Sequence, residues 1–334
     1  MVRERRKVAS AGRRTAIAVG VLCALLATVL AILYAVPELQ PLSTFTAMAS
    51  ALIPYGVLAW GMAVLGILIG GRGLQRLWLV PPLVMLLVQA GWARPYWPVA
   101  PPPSASEQGL RVFSANLHNG DADPAATAAA IRAAAPDVVI LIEVDDAFLA
   151  APTVRDALAA HTHRVGRSVP GEAPDPSTMM IASTRPLTEL GRLPGRFDQY
   201  LVGVAGHDTN RPWTLAAVHT INMLTGGRAW DDEAAALARA LAPHRGGPLI
   251  VAGDFNATVE QQPMRRLWEA GLRNGAADAG AGWVPTYDAG LAPRVAFVAI
   301  DHAVTSPSVR VTRFVTVALP GTDHRAISFT AQRV

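Results

Sequence analysis

The chain is poor in the residues from which several classes of protein are built. It has one cysteine, Cys23, among 334 residues, so it cannot form an internal disulfide or a cysteine-based zinc site, which needs several thiolates. Charged residues make up only 16% and hydrophobic residues 51%, which excludes an intrinsically disordered chain. The 26 prolines and 28 glycines follow no fixed period, which excludes a collagen-like repeat.

Lysine is absent from residues 101–334, and this part of the chain is mildly acidic. It holds 20 arginines and 23 acidic residues, a net charge of −3, whereas residues 1–100 hold nine basic and two acidic residues, a net charge of +7. The net charge of +4 therefore reflects the N-terminal third. Bulk charge gives no support for tight nucleic-acid binding by the larger part, because such binding relies on cationic side chains that neutralise phosphates.

Three apolar runs near the N-terminus predict three transmembrane helices, at about 16–36, 47–70 and 75–93. The first run holds 21 residues without a charge, and at about 1.5 Å per residue such a helix spans the roughly 30 Å hydrocarbon core of a bilayer. A cleaved signal peptide is the alternative for this run. We favour an uncleaved helix, because the run is longer than the hydrophobic region of a usual signal peptide.

The basic residues predict how these helices are oriented. The loop between the first two runs has no basic residue, whereas Arg72 and Arg76 lie between the uncharged stretches 45–71 and 77–93. Six basic residues precede the first run: Arg3, Arg5, Arg6, Lys7, Arg13 and Arg14. Because positively charged segments stay in the cytoplasm, we expect a multi-pass protein of the cell membrane with a cytoplasmic N-terminus and an extracytoplasmic C-terminal part.

The rest of the chain reads as a linker followed by one folded domain. Residues 94–109 are rich in proline and serine, which is typical of a semi-rigid extended linker. Residues 110–334 alternate between apolar strand-like runs and amphipathic helices, with strands in the majority. We therefore expect a membrane domain over 1–93, the linker, and an α/β sandwich of two sheets with helices outside over 110–334.

Polar side chains follow the apolar runs at the points where the predicted strands end. Asn116 ends the run LRVFSAN, Glu143 ends DVVILIE and His219 ends WTLAAVH. A carboxylate that follows five apolar residues is costly to bury unless it is paired or binds a metal ion. Each of the three, taken alone, also fits a turn-forming or solvated residue at the end of a strand.

The segment VAGDFNAT is more informative. Asp254 and Asn256 are two residues apart, so in extended geometry they face the same way, with Phe255 opposite. A carboxylate beside an amide can activate a water molecule and stabilise a developing oxyanion. The alternative is an Asx turn after a strand.

Two further Asp–His pairs lie near the C-terminus. Asp301 and His302 follow an apolar run, and strand alternation predicts that only one of the two faces a site. Asp323 and His324 lie in PGTDHRAI, a predicted turn followed by a strand, and an ordinary turn is the alternative there. The remaining histidines apart from His118 are expected at the surface: His161, His163, His207 and His244.

The order and spacing of these residues resemble the endonuclease/exonuclease/phosphatase superfamily, whose fold is that of deoxyribonuclease I. The residues that carry the resemblance are Asn116, Glu143, His219, Asp254, Asn256, Asp301, Asp323 and His324. It extends over roughly residues 110–334, and three N-terminal spans before such a domain are similar to bacterial membrane-anchored members. The resemblance implies a four-layer αββα sandwich whose active site lies at one end of the two sheets.

The resemblance also implies a role for each residue. Glu143, supported by Asn116 and with Asp323 close by, matches the site of a divalent cation, usually Mg²⁺, with Mn²⁺ as a substitute. Asp254 matches the residue that orients or deprotonates the attacking water, and Asn256 the one that stabilises the phosphoryl oxygens in the transition state. His324 matches a phosphate-contacting histidine that Asp301 orients, and His219 matches a second such histidine.

The predicted function is a membrane-anchored, metal-dependent phosphohydrolase that cleaves phosphodiesters. His118 departs from the family pattern, because nuclease members often carry an acid two residues after the asparagine. The substrate stays open between nucleic acid, a phospholipid head group and a small phosphoester. The alternatives are a non-catalytic surface-binding module that retains the fold and, less favoured, a transporter, since the apolar runs contain no charged residue that could line a pathway. No protein partner is predicted.

Overall fold

A computed structural model of the chain describes residues 2–99, 109–166, 177–206, 211–291 and 294–334, with the backbone alone for 2–9. The described chain divides into two compact units, Met1–Pro95 and Tyr96–Val334. Several sequence-based predictions concern residues outside this description: the basic side chains Arg3, Arg5, Arg6 and Lys7, His207, and most of the predicted linker, at 100–108.

The first unit is helical. Its α-helices are α1 (Val2–Ala35), α2 (Thr44–Ser50), α3 (Gly56–Gly70) and α4 (Val80–Trp92). Three helical stretches are long and apolar enough to cross a membrane: Ser10–Ala35, Ile53–Gly70 and Gly73–Trp92. The last two begin with 3₁₀ turns, at Ile53–Tyr55 and Gly73–Leu79.

The second and third helices depart from the predicted bounds at their prolines. The run expected at 47–70 is interrupted after Ser50, because Pro54 has no N–H and disfavours a helical conformation in the residue before it. The third α-helix begins only at Val80, with Pro81 and Pro82 in the first turn, where a missing N–H costs nothing.

Small residues bring α1 and α3 close together. A Cβ atom added at Gly66 would lie 2.5 Å from the Ala16 carbonyl oxygen and 2.8 Å from the Gly20 Cα. One added at Gly70 would lie 2.7 Å from the carbonyl oxygen of Arg13. Glycine is therefore required at these crossings, as is common where helices pack in membranes.

The buried amides of the first unit bond to the backbone where helices end or break. Gln89 of α4 donates from Nε2 to the carbonyl oxygen of Ile53 at 2.7 Å, next to the break before α3. Gln40 donates to the carbonyl oxygen of Leu33 at 2.9 Å, near the end of α1. Gln40 thereby pairs a carbonyl near the end of a helix, and Gln89 is a second donor to the Ile53 carbonyl, which also accepts the Gly56 N–H.

The second unit contains two six-stranded mixed sheets. Their strands are β1 (Leu110–Asn116), β2 (Val138–Ile142), β3 (His163–Gly166), β4 (Met179–Ser183), β5 (Leu187–Arg192), β6 (Tyr200–Val204), β7 (Trp213–His219), β8 (Leu249–Asp254), β9 (Arg273–Asn274), β10 (Asp301–Thr305), β11 (Val309–Ala318) and β12 (Arg325–Arg333). The order is β11-β12-β1-β2-β4-β3 in one sheet and β5-β6-β7-β8-β10-β9 in the other. The pairs β1–β2 and β7–β8 are parallel and the other pairs antiparallel.

Helices cover the sandwich. They are α5 (Pro124–Ala134), α6 (Asp146–Ala150), α7 (Pro152–Ala157), α8 (Gly227–Leu241), α9 (Gln262–Glu269) and α10 (Gly275–Asp278). One buried cluster joins side chains from both sheets, such as Ile140 and Ile250. A second joins the other face of the first sheet to α5–α7, through residues such as Phe113 and Ile131. The expected four-layer αββα sandwich is thus confirmed.

The first residues of the second unit pack on its surface. The rings of Tyr96 and Trp283 meet edge to face with centroids 4.8 Å apart. The Val99 N–H donates to the carbonyl oxygen of Gly280 at 3.2 Å, and a Cβ atom at Gly280 would collide with Val99. The stretch expected to be a linker is therefore ordered against the sandwich at 96–99, because it carries an aromatic side chain and a backbone donor that find partners there.

Candidate active site

Strand register brings the predicted polar residues to one end of both sheets. In the first sheet Asn116 is the register partner of Ile142, so Glu143 follows directly beyond the end of the neighbouring parallel strand. In the second sheet Asp254 is the register partner of both His219 and Asp301. The carboxyl ends of parallel strands at a sheet edge are a frequent location for ligand sites.

Asn116 links the two sheets. Its Nδ2 donates at 3.0 Å to Oε1 of Glu143 and at 3.0 Å to Oδ2 of Asp254, and its Oδ1 accepts the His118 N–H at 2.9 Å. The side chain is buried, so these bonds are protected from competition by water. The amide therefore fixes the separation of a carboxylate in each sheet.

Glu143 turns its carboxylate into the cleft through an unusual backbone conformation. Its φ of 55° lies in the left-handed region, which is rare for a residue with a side chain. The Asn119 N–H donates to Oε2 at 3.0 Å, and the side chain stays 14% exposed. Such strain is maintained only when the surroundings enforce it, and it often marks functional sites.

Asp254 and Asn256 meet through a turn rather than along a strand. Strand β8 ends at Asp254, and Asn256 has a φ of 46°, so the expected extended geometry of the pair is wrong. The Asn256 N–H donates to Oδ1 of Asp254 at 2.8 Å, which is the Asx turn considered as the alternative. Asn256 Nδ2 donates to the carbonyl oxygen of Thr220 at 2.8 Å, so its amide lies beside the end of β7.

His324 and Asp301 form a buried ion pair. The Nδ1–H of His324 donates to Oδ2 of Asp301 at 2.9 Å. Its Nε2 lies 3.8 Å from Oδ2 of Asp254 and 3.9 Å from Oδ1 of Asp323. Burial alone lowers the pKa of His324, but the carboxylates of Asp301, Asp254 and Asp323 outweigh it and raise the pKa to about 10. Burial also raises the pKa of Asp254, against the effect of His324.

His219 lies between the two carboxylates that Asn116 joins. Its Nε2 is 3.6 Å from Oε1 of Glu143 and 3.9 Å from Oδ2 of Asp254, and the side chain is only 3% exposed. The ring of Phe197 stacks on the imidazole with centroids 4.4 Å apart. Phe197 was not found from the sequence, because it lies in an irregular segment before β6.

Asp323 lies nearer the surface, with His118 beside it. Nδ1 of His118 is 2.9 Å from Oδ1 of Asp323, and the His118 side chain is 47% exposed. The residue that departs from the family pattern is thus in the site rather than away from it. Tyr287, also missed from the sequence, tilts over His324 with ring centroids 4.9 Å apart.

The histidines outside this cluster differ in burial. His302 faces away from Asp301 and bonds through Nε2 to the carbonyl oxygen of Ala257 at 2.8 Å, as strand alternation predicts. His161 is 5% exposed and bonds to the carbonyl oxygen of Pro136, so its expected surface position is wrong. A histidine whose polar edge pairs with the backbone can lie in a core. His163 and His244 are half-buried.

The cluster holds four carboxylates, those of Glu143, Asp254, Asp301 and Asp323. Among the described residues, no lysine or arginine forms an ion pair with any of them, and the nearest basic side chains are imidazoles. A buried excess of negative charge is costly unless a cation compensates it. The donor set therefore fits a hard divalent cation, which prefers carboxylate oxygen atoms.

Two subsets of these residues offer metal-binding atoms. Asp254, Asp301 and His324 bring one such atom each within 4.8 Å of one another. A metal-ligating histidine must be neutral, whereas the raised pKa of His324 favours the cation. Glu143 and Asp323, whose side chains are 14% and 12% exposed, keep oxygen atoms open to the cleft. They are the residues expected as ligands from the sequence.

This arrangement is that of an enzyme class that hydrolyses phosphoesters. Residues 113–324 match the model of the Endonuclease/Exonuclease/phosphatase family, which is more than half of the chain. The chain belongs to this family, and the resemblance drawn from its motifs is confirmed. A search of curated proteins finds no match.

Solved structures share the fold at low identity. An endonuclease/exonuclease/phosphatase from Beutenbergia cavernae has a TM-score of 0.52 and 21% identity, over 68% of this chain and 72% of that one. A mannosyl-6-phosphatase from Bacteroides thetaiotaomicron has a TM-score of 0.53 and 16% identity, over 67% and 99%. D. rerio TDP2 with a single strand DNA product has a TM-score of 0.50 and 17% identity, over 67% and 99%.

Proposed function

We propose that this chain is a membrane-anchored, divalent-metal-dependent phosphohydrolase that cleaves phosphodiester bonds. The observation that carries the proposal is the contact network that joins all eight predicted residues across both sheets. Asn116 bonds to Glu143 and Asp254, and His324 bonds to Asp301. Residues spread over about two hundred positions would not converge on one buried polar cluster without a chemical use, because burying polar groups costs free energy.

The catalytic residues lie at the end of the second sheet, except His324, which lies directly before β12 of the first sheet. Asp254, held by two hydrogen bonds, orients the attacking water and takes its proton as the water adds to phosphorus. The cationic imidazole of His324, oriented by Asp301, faces the negative charge that spreads over the phosphoryl oxygens. His219 and the amide of Asn256 would contact the same oxygens from the end of β7 and the turn after β8.

The residues that would bind the metal ion lie at the end of the first sheet and in the turn before β12. Glu143 would bind Mg²⁺ through its open oxygen positions, with Asn116 and the Asn119 N–H holding the carboxylate in place. Asp323 would complete the set, and Mn²⁺ would substitute. When bound, the cation polarises the phosphate and neutralises its charge.

The helices of the first unit would serve as the anchor. Their length and apolar composition support three spans, and the basic residues before Ser10–Ala35 and at Arg72 and Arg76 favour a cytoplasmic N-terminus. With three crossings, the domain from 110 to 334 would lie outside the cytoplasm. The contact of Tyr96 with Trp283 favours an earlier start of this domain, at about 96.

The leaving group of the substrate stays open. The fold relatives include proteins named as a phosphatase and as one bound to DNA, so they do not favour one class. The net charge of −3 after residue 100 gives little support for nucleic acid, whereas an anchored site would be close to phospholipid head groups. A non-catalytic binding module is the second candidate, and the complete set of eight residues speaks against it.

The test is an assay of the full chain in detergent micelles. Bis(p-nitrophenyl) phosphate is supplied with Mg²⁺, Mn²⁺ or EDTA, and the variants are Asp254→Asn and His324→Ala, with Asp156→Asn as an exposed, charge-matched control. Metal-dependent turnover that both site variants abolish and the control retains supports the enzyme. Turnover that survives in Asp254→Asn, or none with any metal, contradicts it. Phosphatidylinositol, sphingomyelin, DNA and RNA then identify the leaving group.

A further inference from the structure

One side of the site is closed by an aromatic ring that none of the roles above uses. Phe197 stacks on His219 with centroids 4.4 Å apart and 23° between the ring planes. Phe197 is half-buried, whereas His219 is almost fully buried. A phenyl face against an imidazole restricts rotation of that imidazole.

The segment that carries Phe197 is held firmly. The Arg196 N–H donates to Oε2 of Glu233 at 3.3 Å, and the Gln199 amide donates to Oε1 of Glu233 at 3.3 Å and to the carbonyl oxygen of Pro194 at 3.2 Å. The Gln199 amide lies where a Cβ atom of residue 195 would be, so a larger residue there would displace that amide from its hydrogen bonds. Hydrogen bonds of the residues before and after Phe197 therefore fix the position of its ring.

The same glutamate also holds the chain that follows His219. Oε1 of Glu233, on α8, accepts the Ile221 N–H at 3.1 Å. The Phe197 segment and the end of β7 are therefore tied to one carboxylate, which fixes the two stacked rings relative to each other. A side chain that only fills space does not need its own segment and the segment of its neighbour to bond to the same carboxylate.

We propose that Phe197 is a positioning residue, which acts through His219. Its ring keeps the imidazole plane in the orientation that points Nε2 toward the cleft, 3.6 Å from Glu143 and 3.9 Å from Asp254. The inference rests on the proposed function, because it assigns His219 to the phosphoryl oxygens. Displacement of a catalytic group by about 1 Å is enough to cost orders of magnitude in rate.

A substitution series with a double-mutant cycle tests the proposal. Phe197→Ala, Phe197→Leu and Phe197→Tyr are assayed on bis(p-nitrophenyl) phosphate in the full chain, with His219→Gln alone and combined with Phe197→Ala. Leu190→Ala, which removes an exposed apolar side chain from β5, is the control. Thermal unfolding of each variant checks that the fold is retained.

We expect Phe197→Ala to lower kcat about tenfold with KM within about twofold, since orientation and not binding is lost. Phe197→Tyr should restore kcat, Phe197→Leu should not, and Leu190→Ala should have no effect. In the His219→Gln background Phe197→Ala should change kcat by less than about twofold, because the residue through which it acts is gone. Equal losses in both backgrounds, or rescue by leucine, would overturn the proposal.

A spectroscopic readout separates failure of this inference from failure of the proposed function. In a ¹H–¹³C spectrum of ring-labelled histidine, the His219 signals are assigned by their loss in His219→Gln. The phenyl ring current should shift them in the wild type and in Phe197→Tyr, and Phe197→Ala should remove the shift. If the wild type hydrolyses no phosphodiester, the proposed function fails, and this spectrum alone then tests whether Phe197 positions His219. Signals unmoved by Phe197→Ala overturn the inference.

Discussion

The two units of the chain bury polar side chains for different purposes. In the helical unit each buried amide bonds to a backbone carbonyl, as Gln89 does with Ile53 and Gln40 with Leu33. In the polar cluster of the sandwich the buried side chains bond to one another, as Asn116 does with Glu143 and Asp254. The amides that bond to the backbone complete the helical fold, whereas the side chains that bond to each other around Asn116 form the candidate active site.

The outer surfaces of the two units also differ, in how many large hydrophobic side chains they expose. Large hydrophobic side chains such as Leu22, Leu25 and Leu87 are 61–73% exposed in the helical unit, which is expected of helices that face lipid. Exposed side chains of this kind are scattered in the described part of the sandwich. Substitutions in the sandwich cluster should therefore change chemistry, and those in the helical unit should change stability.

The largest effect is expected for Glu143→Gln. The amide keeps the shape of the side chain but loses the charge and one acceptor oxygen, so Mg²⁺ affinity and turnover should both fall, with kcat/KM lower by about 10³-fold. Titration calorimetry with Mn²⁺ measures the metal affinity, and an assay of the full chain measures turnover. Glu189→Gln, on the exposed face of β5, is the matched control and should change neither. Full Mn²⁺ affinity in Glu143→Gln would remove Glu143 from the metal site.

Asp301→Asn should have the next largest effect. The substitution removes the carboxylate that orients His324 and supports its cationic form, so kcat should fall by about 10²-fold, and the unfolding temperature should fall as well because a buried ion pair loses one partner. Turnover and thermal unfolding of the same preparation measure both. A loss below about threefold would contradict the role of Asp301.

Part of this site could be predicted because Glu143, His219 and Asp301 each directly follow an apolar run, whereas Asp323 and His324 lie in a turn. A polar side chain directly after such a run has to lie at a strand end, and parallel pairing then brings the ends together, as with Asn116 and Glu143. Tyr287 and Phe197 gave no such signal, because they lie in irregular segments. The left-handed conformations of Glu143 and Asn256 could not be predicted either, since no glycine marks them.

The parts of the fold that the sequence did not predict lie mainly at sheet edges. Strands β3, β5 and β9 are all edge strands, and they are short or carry exposed polar residues. An edge strand is paired on one side only, so burial imposes a weaker pattern on it. The central strands are buried on both faces and therefore appear as continuous apolar runs.

In the helical unit we expect a smaller change, in stability alone. Gln89→Leu removes one of the two hydrogen bonds to the carbonyl of Ile53, which should cost about 1 kcal/mol of unfolding free energy in a membrane-like medium. Detergent-induced unfolding measures the loss, and phosphodiester turnover should be unchanged. Leu87→Ala, an exposed position of the same helix, should cost less. Loss of phosphodiester turnover in Gln89→Leu without a loss of unfolding free energy would contradict the distinction drawn between the two units.

The smallest effect concerns a histidine of the sandwich that pairs with the backbone, as the amides of the helical unit do. Burial lowers the pKa of His302 below its ordinary value, so the folded state resists its protonation. Above pH 6.5 neither state binds the proton and the full stability is present, whereas below it the unfolded state gains a proton that the folded state lacks. The unfolding free energy should thus fall by up to about 0.7 kcal/mol between pH 7 and pH 6 through His302 alone. His302→Gln retains a donor for the carbonyl of Ala257 but cannot titrate, so its stability should fall less with acid. If the unfolding free energies of the wild type and of His302→Gln, measured by urea titration, fall equally with acid, His302 is protonated equally in the folded and unfolded states.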